Sequence, residues 1–422
     1  MIGATAIAGL AGCNSSEDET PNGTGQSGAD TTDDEAATDE DTTGPLEMEE
    51  VATGNIGHAA GVNGTLTYTT DGNRKRIVYG DTEYPAFDDI SRGQAPQRNE
   101  YISVNNGTAY RGREANGTIK EVIMAGDVEL YSETFETNAD PNYVPPSATL
   151  WDGLDGEPIW SEATAQKYHS SFRIGDEVVD PDFDGVSHVR SIGGEIAYVG
   201  WDKDENDRWD SQELVKGGST MNSFGSDEAF APGRPLEDID GTPTFVKLTR
   251  SGDVIQYGDR EVGSEYTERG GGDFPWIGEL NGSLAFIANV ARDNIEGNRP
   301  REQALWFDGE EVDRARSLGT GGMGIAHTDE GLAYSFDDDD TTGIKIGDRL
   351  EEYVASPSNV ASVNGTPAYD APGEEGNIVI YGDQKTEPQY LVLEIFEVDG
   401  DLGYLAQTED GVPDSDVIYR EA

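Results

Sequence analysis

The chain has 422 residues and carries 84 Asp and Glu against 28 Lys and Arg, which gives a formal net charge of −56 at pH 7. Such an acidic surface repels phosphate backbones and anionic headgroups, so the charge excludes nucleic-acid binding. High acidity can also indicate a disordered chain. However, 18 Tyr, 12 Phe and 6 Trp are spread over residues 51–422, and they predict a folded body there.

Residues 1–13 are a short apolar segment that ends at Cys13, the single cysteine of the chain. Twelve apolar residues are too few to span a bilayer but suit the core of a signal peptide. The sequence Leu10-Ala11-Gly12-Cys13, followed by Ser, Asp and Glu, resembles the lipobox of exported lipoproteins. The resemblance implies that the Cys13 sulfur receives a lipid after export and anchors the protein to the outer face of the cell membrane. A buried free cysteine is less favoured, because no neighbouring residues could bury it.

The start of this segment lacks a feature that export signals need. No Arg or Lys precedes the apolar run, although a signal peptide has a positive first region. We therefore expect the native start to lie upstream of Met1.

Residues 14–50 have almost no apolar content and are rich in Thr, Asp, Glu, Gly and Ser. Such a segment cannot bury enough surface to offset the entropy lost on ordering. We interpret it as a disordered acidic tether between the lipid anchor and the folded body. A cysteine used only for anchoring also explains why the body has no disulfide framework.

Residues 51–422 contain nine repeats of one pattern. Each repeat has a two-residue turn ending in glycine, and eight of the nine pairs are typical of type I′ hairpins. Three or four residues after each glycine stands an aromatic residue, and in most repeats a second β-rich run then ends in Gly-Asp. The turns begin at Asn63, Asn106, Asp155, Gly193, Asp240, Asn281, Glu330, Asn364 and Asp399, and the aromatic residues are Tyr68, Tyr110, Trp160, Tyr198, Phe245, Phe286, Tyr334, Tyr369 and Tyr404.

Each repeat predicts a four-stranded antiparallel meander, and no segment has the sustained 3.6-residue stripe of a helix. Radial packing of such meanders buries their apolar faces, so the fold class is all-β, a single β-propeller. We expect nine blades, or eight if the weakest repeat, residues 151–180, forms none. The last repeat stops after its third strand, and residues 45–52 could supply the missing outer strand and close the ring. We expect a monomer.

Two resemblances bear on the source of the protein. The acidic profile, with 8 lysines among the 28 basic residues, resembles proteins of extreme halophiles. Over about 370 residues the repeats resemble propeller lipoproteins of haloarchaea. The sequence motifs typical of WD repeats, sialidases and quinone-dependent dehydrogenases are missing, so no specific enzyme family is matched.

The segment DKDENDRWDSQE, residues 202–213, is the best local motif. Alternating carboxylates on a tight loop repel one another unless a cation binds them, and Ca²⁺ takes six to eight oxygen ligands. The spacing resembles an EF-hand loop, except that Asp207 stands at the usual glycine position. A solvated acidic loop is the alternative. The predicted calcium ligands are Asp202, Asp204, Asn206, Asp210 and Glu213.

The four histidines are His58, His169, His188 and His327. Three of them, all but His169, fall on the first predicted strand of their repeats, which would line the central channel. Zinc accepts three histidines. We favour ordinary strand histidines, because a ring of nine blades has a channel too wide for three side chains to meet at one ion.

Seven Asn-X-Ser/Thr sequons are candidates for glycosylation in an exported protein. Four of them coincide with Asn-Gly turns, where hairpin chemistry already accounts for the asparagine. The candidates are Asn14, Asn22, Asn63, Asn106, Asn116, Asn281 and Asn364.

Two functions remain open from the sequence. The favoured one is a tethered binding or scaffold module whose loops meet a solute, a glycan or a surface protein. The alternative is an extracellular polysaccharide hydrolase or lyase that uses carboxylates in the channel. A converging Asp/Glu pair with a raised pKa would favour the enzyme.

Overall fold

The computed structural model of the protein describes residues 46–91, 101–105, 107–137, 145–165, 168–205, 209–225, 228–231, 234–250, 252–263, 274–291, 301–319, 324–409, 412 and 415–422. Residues 44–422 form one compact unit. Cys13 and most of the predicted tether lie outside the described residues. Within the described part of the chain, no helix is long and apolar enough to cross a membrane.

The described residues form nine antiparallel sheets, which we number as blades 1 to 9 along the chain. Each blade has four strand positions, and in blades 2, 5 and 7 the first position is divided between two short strands. The strand that closes blade 9 is the first in the chain, β1 (Met48–Gly54). Blades 1 to 3 contain β2 (Ile56–Val62), β3 (Thr65–Thr70), β4 (Arg76–Tyr79), β5 (Thr82–Glu83), β6 (Asp89–Ser91), β7 (Tyr101–Val104), β8 (Gly107–Ala115), β9 (Thr118–Ala125), β10 (Val128–Glu136), β11 (Ser147–Leu154), β12 (Glu157–Thr164), β13 (Phe172–Ile174) and β14 (Glu177–Val179).

Blades 4 to 6 follow the same order of strands. They contain β15 (Gly185–Ile192), β16 (Glu195–Lys203), β17 (Trp209–Lys216), β18 (Ser219–Phe224), β19 (Ala229–Phe230), β20 (Glu237–Ile239), β21 (Thr242–Thr249), β22 (Gly252–Tyr257), β23 (Arg260–Val262), β24 (Trp276–Leu280), β25 (Ser283–Ala291), β26 (Arg301–Phe307) and β27 (Glu310–Ala315).

Blades 7 to 9 complete the ring. They contain β28 (Ser317–Leu318), β29 (Ile325–Thr328), β30 (Gly331–Asp337), β31 (Thr342–Ile346), β32 (Arg349–Glu352), β33 (Val360–Val363), β34 (Thr366–Pro372), β35 (Asn377–Tyr381), β36 (Gln384–Lys385), β37 (Leu391–Val398), β38 (Asp401–Gln407) and β39 (Asp416–Glu421). First strands of neighbouring blades contact one another around the central channel, and those of blades 9 and 1 do so as well. The protein is therefore a nine-bladed β-propeller, and residues 151–180 belong to a complete blade.

The ring closes because the N-terminal strand β1 completes the C-terminal blade. β1 pairs antiparallel with β39 from Met48↔Glu421 to Gly54↔Asp416, and so becomes the fourth strand of blade 9. This confirms the predicted closing strand, which begins within the last residues assigned to the tether.

Seven of the nine hairpin turns between first and second strands have positive φ at both turn residues, as predicted; Glu330 does not adopt it, and Asn106 lies outside the described residues. Asn63 and Gly64, for example, have φ of 50° and 72°, which only glycine and a few polar residues adopt readily. Asp399 and Gly400 repeat this geometry, with φ of 56° and 88°. The sequence therefore marks the end of each first strand correctly.

The nine predicted aromatic residues occupy the interfaces between blades. Each of the nine apolar clusters of the ring contains one of them, and each cluster joins two neighbouring blades. Tyr369, for example, lies between blades 7 and 8 with 1% of its surface exposed. Eight of the nine are buried, and Tyr68, between blades 9 and 1, is the half-buried exception.

Candidate functional site

The wall of the channel is the first place to look for converging chemistry, because the first strands of all blades meet there. Several carboxylates on these strands accept hydrogen bonds from backbone N–H groups of a neighbouring blade. Such bonds to a charged acceptor are stronger than bonds between neutral groups. The donors and acceptors are Ala59 N and Glu394 Oε2 at 2.7 Å, Asn364 N and Glu397 Oε2 at 2.8 Å, Gly193 N and Asp238 Oδ2 at 2.9 Å, and Asp240 N and Glu279 Oε2 at 3.1 Å.

One cluster on this wall spans three blades. Arg190 on β15 of blade 4 donates from Nη1 to Glu237 Oε2 on β20 of blade 5 at 2.6 Å. On its other side, Arg190 Nε lies 3.5 Å from Asp152 Oδ2 on β11 of blade 3. Each side chain is less than a quarter exposed. We call this set the three-blade cluster.

The electrostatics of the three-blade cluster are set by burial and by the arginine. Burial raises the pKa of Glu237, and the Arg190 guanidinium opposes that rise by stabilising the carboxylate. Asp152 and Asp238 add to the rise through charge repulsion. Arg190 therefore holds two carboxylates together that would otherwise repel each other across the channel wall.

The three-blade cluster was not predicted from the sequence, although the sequence carries a signal for it. Asp152, Arg190 and Glu237 each stand three residues before the first residue of their hairpin turn. Equal offsets from equivalent turns place residues at equivalent positions of successive blades. Three charged residues of mixed sign at one offset, in blades 3, 4 and 5, could therefore have been predicted to be neighbours.

The channel histidines make separate contacts. His58 Nδ1 pairs with Glu394 Oε1 across the interface between blades 9 and 1. His188 has its ring 4.5 Å from that of Phe230, which belongs to the core between blades 4 and 5. His327 lies near the ring of Phe307. Among the described residues, no group of three His, Cys, Asp or Glu side chains is placed to hold a metal ion.

His169 is the remaining histidine, and it is a buried core residue. It is 4% exposed, its Nε2 lies 3.0 Å from Thr149 Oγ1, and its ring packs edge-on against Trp151. Burial lowers its pKa to about 4, because the dry interface disfavours the charged ring. This side chain is therefore neutral at pH 7.

The segment with the predicted calcium ligands is more extended than the sequence indicates. Asp202 lies on β16, and Asp210 and Glu213 lie on β17, so the connection itself is short. Asp202 Oδ1 accepts from Asp184 N at 3.3 Å, and Glu213 Oε2 accepts from Thr220 Oγ1 at 2.8 Å. Asp204 follows β16 directly, and Asn206 lies outside the described residues. The calcium site stays a prediction.

Four of the predicted sequons lie within the described residues. Asn63, Asn116, Asn281 and Asn364 are all exposed. The Asn63 amide donates to Val104 O at 3.1 Å and accepts from Ser103 Oγ at 2.8 Å, so its side chain joins blades 1 and 2. Glycosylation at these positions stays a prediction, and Asn14, Asn22 and Asn106 lie outside the described residues.

Comparison with known proteins finds similarity of structure only. No protein-family model and no curated protein matches the chain. A crystal structure of a eukaryotic initiation factor is 10% identical, with 82% of this chain and 92% of that chain covered and a TM-score of 0.43. The β-propeller domain of the Trilobed protease from Pyrococcus furiosus is 8% identical, with 89% and 95% covered and a TM-score of 0.32. BamB from Moraxella catarrhalis is 9% identical, with 89% and 94% covered and a TM-score of 0.31.

Proposed function

We propose that the protein is a binding or scaffold propeller of a halophile, tethered by a lipid on Cys13 to the outer face of the cell membrane. There its ring presents loops to a solute, a glycan or a surface protein. The observation that supports this proposal is the set of hydrogen bonds that the channel carboxylates accept. Glu394, Glu397, Asp238 and Glu279 bind backbone N–H groups of adjacent blades, so these carboxylates serve to hold the ring together.

The tether is tested by fractionation of the producing cells. Wild-type protein should be recovered with the membranes, whereas Cys13→Ser should be released or remain unprocessed. Cys13→Ala is a second test of the same point, because it also removes the thiol and should behave in the same way. Equal membrane recovery of wild type and both variants would contradict the lipid anchor.

The halophilic origin predicts a strong dependence of stability on salt. A net charge of −56 causes self-repulsion in dilute buffer, and molar salt screens charges over a few ångströms. The melting temperature should rise steadily between about 0.1 M and multimolar KCl, since the Debye length falls from about 10 Å to under 3 Å. A flat curve would show that ion pairs already balance the surface.

Calcium is the one cofactor that the proposal includes, at Asp202, Asp204, Asn206, Asp210 and Glu213. Saturating Ca²⁺ should stabilise the fold by about 2.7 kcal/mol at a free concentration 100 times its Kd. Mg²⁺ should not replace it, because Mg²⁺ prefers a small octahedral shell. The gain should disappear in Asp202→Ala/Asp204→Ala at constant ionic strength. If the double mutant melts at or above the temperature of wild type in saturating Ca²⁺, the segment is a solvated acidic turn and not a calcium site.

A second candidate function, a polysaccharide hydrolase or lyase, is favoured by one observation. Glu237 has a raised pKa and shares Arg190 with Asp152, which is the kind of carboxylate pair that acid–base chemistry needs. Release of reducing ends from neutral and uronic-acid polysaccharides tests it. Activity that Glu237→Gln abolishes would favour the enzyme, and absence of release would favour the binding module.

A further inference from the structure

A cavity of about 370 Å³ lies at the interface where the ring closes. We call it the closure cavity. Its walls come from the end of β1, the start of β2, and strands β3, β4 and β5 of blade 1. Its volume is within the range of about 300–1,000 Å³ that is typical of small-molecule sites.

The closure cavity lies beside Tyr68, whose equivalents in the other eight blades are buried. In blade 8, Tyr369 is buried and donates its hydroxyl to Glu351 Oε2 on β32 of blade 7 at 2.7 Å. In blade 7, Tyr334 donates to Asp313 Oδ2 on β27 of blade 6 at 2.8 Å. In both cases the last strand of the preceding blade supplies the carboxylate.

At the closing interface the preceding strand is β1, whose carboxylates, Glu49 and Glu50, lie near its start, whereas the part of β1 that lines the cavity carries no carboxylate. β1 ends in Ala52, Thr53 and Gly54, which have small side chains or none. A Cβ added to Gly54 would meet no atom within 4 Å. Tyr68 therefore stays half-buried and lines the closure cavity instead of being covered.

The first strands of blades 9 and 1 are nevertheless tightly packed. A Cβ added to Gly61 on β2 would lie 1.9 Å from the carbonyl oxygen of Glu397 on β37. His58 Nδ1 and Glu394 Oε1 are hydrogen-bonded across the same interface. The closure cavity therefore results from the small residues of β1 at the outer strands, and the channel side of the interface is well sealed.

The chemistry of the walls combines an apolar floor with polar groups around it. Ile56 and Val78 are buried beneath the cavity, and Tyr68 adds an aromatic ring. Arg76 forms an ion pair with Glu83, and this pair supplies both donors and acceptors. The two charges of this pair balance each other.

A further carboxylate and several uncharged polar side chains complete the walls. They are Asp71, Thr53, Asn55 and Thr70. Asp71 lies 3.4 Å from Lys75 Nζ, so its charge is also balanced in part. Hydroxyl, amide and carboxylate groups around an aromatic ring provide hydrogen bonds and a flat apolar surface in the same small volume.

We propose that the closure cavity binds a neutral saccharide, with Tyr68 packed against the apolar face of a sugar ring and Asp71, Asn55 and the Arg76–Glu83 pair bonded to its hydroxyl groups. This site rests on the proposed binding function and names a ligand class for it. The small residues of β1 that close the ring also create the space for the ligand.

The test measures binding of maltose, cellobiose and glucuronate to the full chain in molar KCl by isothermal titration calorimetry. Thr53→Trp fills the cavity from an exposed position of β1, and Tyr68→Ala removes the aromatic wall. The matched control is Val312→Trp, because Val312 is an exposed residue on β27, the equivalent last strand of blade 6. Circular dichroism and the melting temperature establish that each variant is folded.

The proposal expects at least one neutral disaccharide to bind wild type and Val312→Trp equally. Binding to Thr53→Trp and Tyr68→Ala should be at least about tenfold weaker, which corresponds to about 1.4 kcal/mol. Equal binding by wild type and Thr53→Trp would overturn the site but leave a binding propeller that uses another surface. Binding of glucuronate alone, or of none of the three sugars, would overturn the ligand class. The membrane anchor is judged separately, by fractionation of Cys13→Ser.

Discussion

The interface between blades 7 and 8 and the interface between blades 9 and 1 use the same repeat position in different ways. Tyr369 is covered by blade 7 and donates to Glu351, to which Tyr353 also donates at 2.9 Å. Tyr68 faces a strand of small residues and a cavity of about 370 Å³. Blades 7 and 8 are each built from one continuous segment of the chain, whereas blade 9 takes its last strand, β1, from the opposite end of the chain.

This difference shows that the aromatic residue at one repeat position can fill most interfaces between blades and yet border an open space at another. A buried aromatic residue contributes through the apolar area that it removes from water and through its contacts. Its phenol hydroxyl must find a partner when it is buried. Where the neighbouring strand offers neither cover nor partner, the same residue becomes part of a surface that a ligand can reach.

Truncation of the two tyrosines should show the largest difference. Tyr369→Ala removes a fully buried ring and leaves Glu351 without one donor, so we expect a loss of about 3–5 kcal/mol in the free energy of unfolding. Tyr68→Ala removes a half-buried ring beside an existing cavity, and about 1 kcal/mol is expected. Urea unfolding in molar KCl measures both. Equal losses would mean that the closing interface is as well packed as the others.

Titration of His169 tests how dry a covered interface is. Its pKa is about 4 in the folded protein and 6.5 as the ordinary value, so the unfolded chain binds this proton first as the pH falls. The folded state keeps the full contribution of the neutral ring above pH 6.5 and loses it between pH 6.5 and about 4. The loss amounts to about 3 kcal/mol.

His169→Gln is the control for that titration, because glutamine can keep a hydrogen bond to Thr149 and does not titrate in this range. The stability of wild type relative to His169→Gln should fall over the same interval of pH. A constant difference between the two proteins would show that water reaches the histidine in the folded state.

Removal of one hydroxyl gives the smallest and most specific comparison. Tyr369→Phe loses a bond to a charged acceptor, which is typically worth about 1.5–3 kcal/mol. Tyr68→Phe should change stability by less than about 0.5 kcal/mol, since surface groups of this kind contribute little. The ratio of the two effects, read from melting curves at one salt concentration, distinguishes a covered hydroxyl from an accessible one. A larger loss for Tyr68→Phe would reveal a structural partner at the closure cavity.

Local sequence patterns determined most of the fold. Asn-Gly and Asp-Gly pairs favour positive φ wherever they occur, so the turn at Asn63-Gly64 could be predicted without any knowledge of its neighbours. The aromatic residue after each turn and the missing last strand of the final repeat followed from the period alone. Nine blades, with eight as the alternative, and closure by the N-terminal strand were therefore predicted.

Only the tertiary structure decided which residues meet across blades. Asp152, Arg190 and Glu237 lie 38 and 47 residues apart in sequence. Equal offsets from their turns place them at equivalent positions, but their contact depends on the angle between first strands, which no single repeat encodes. All residues that line the closure cavity lie between residues 53 and 83, but the position of β1 in its wall depends on pairing with β39 at the other end of the chain. The sequence by itself determined the local geometry of each repeat, because turns and alternation act over a few residues. The free volume beside Tyr68 was decided by how β1, held in place by β39, packs against blade 1, and packing depends on every side chain that fills the interface.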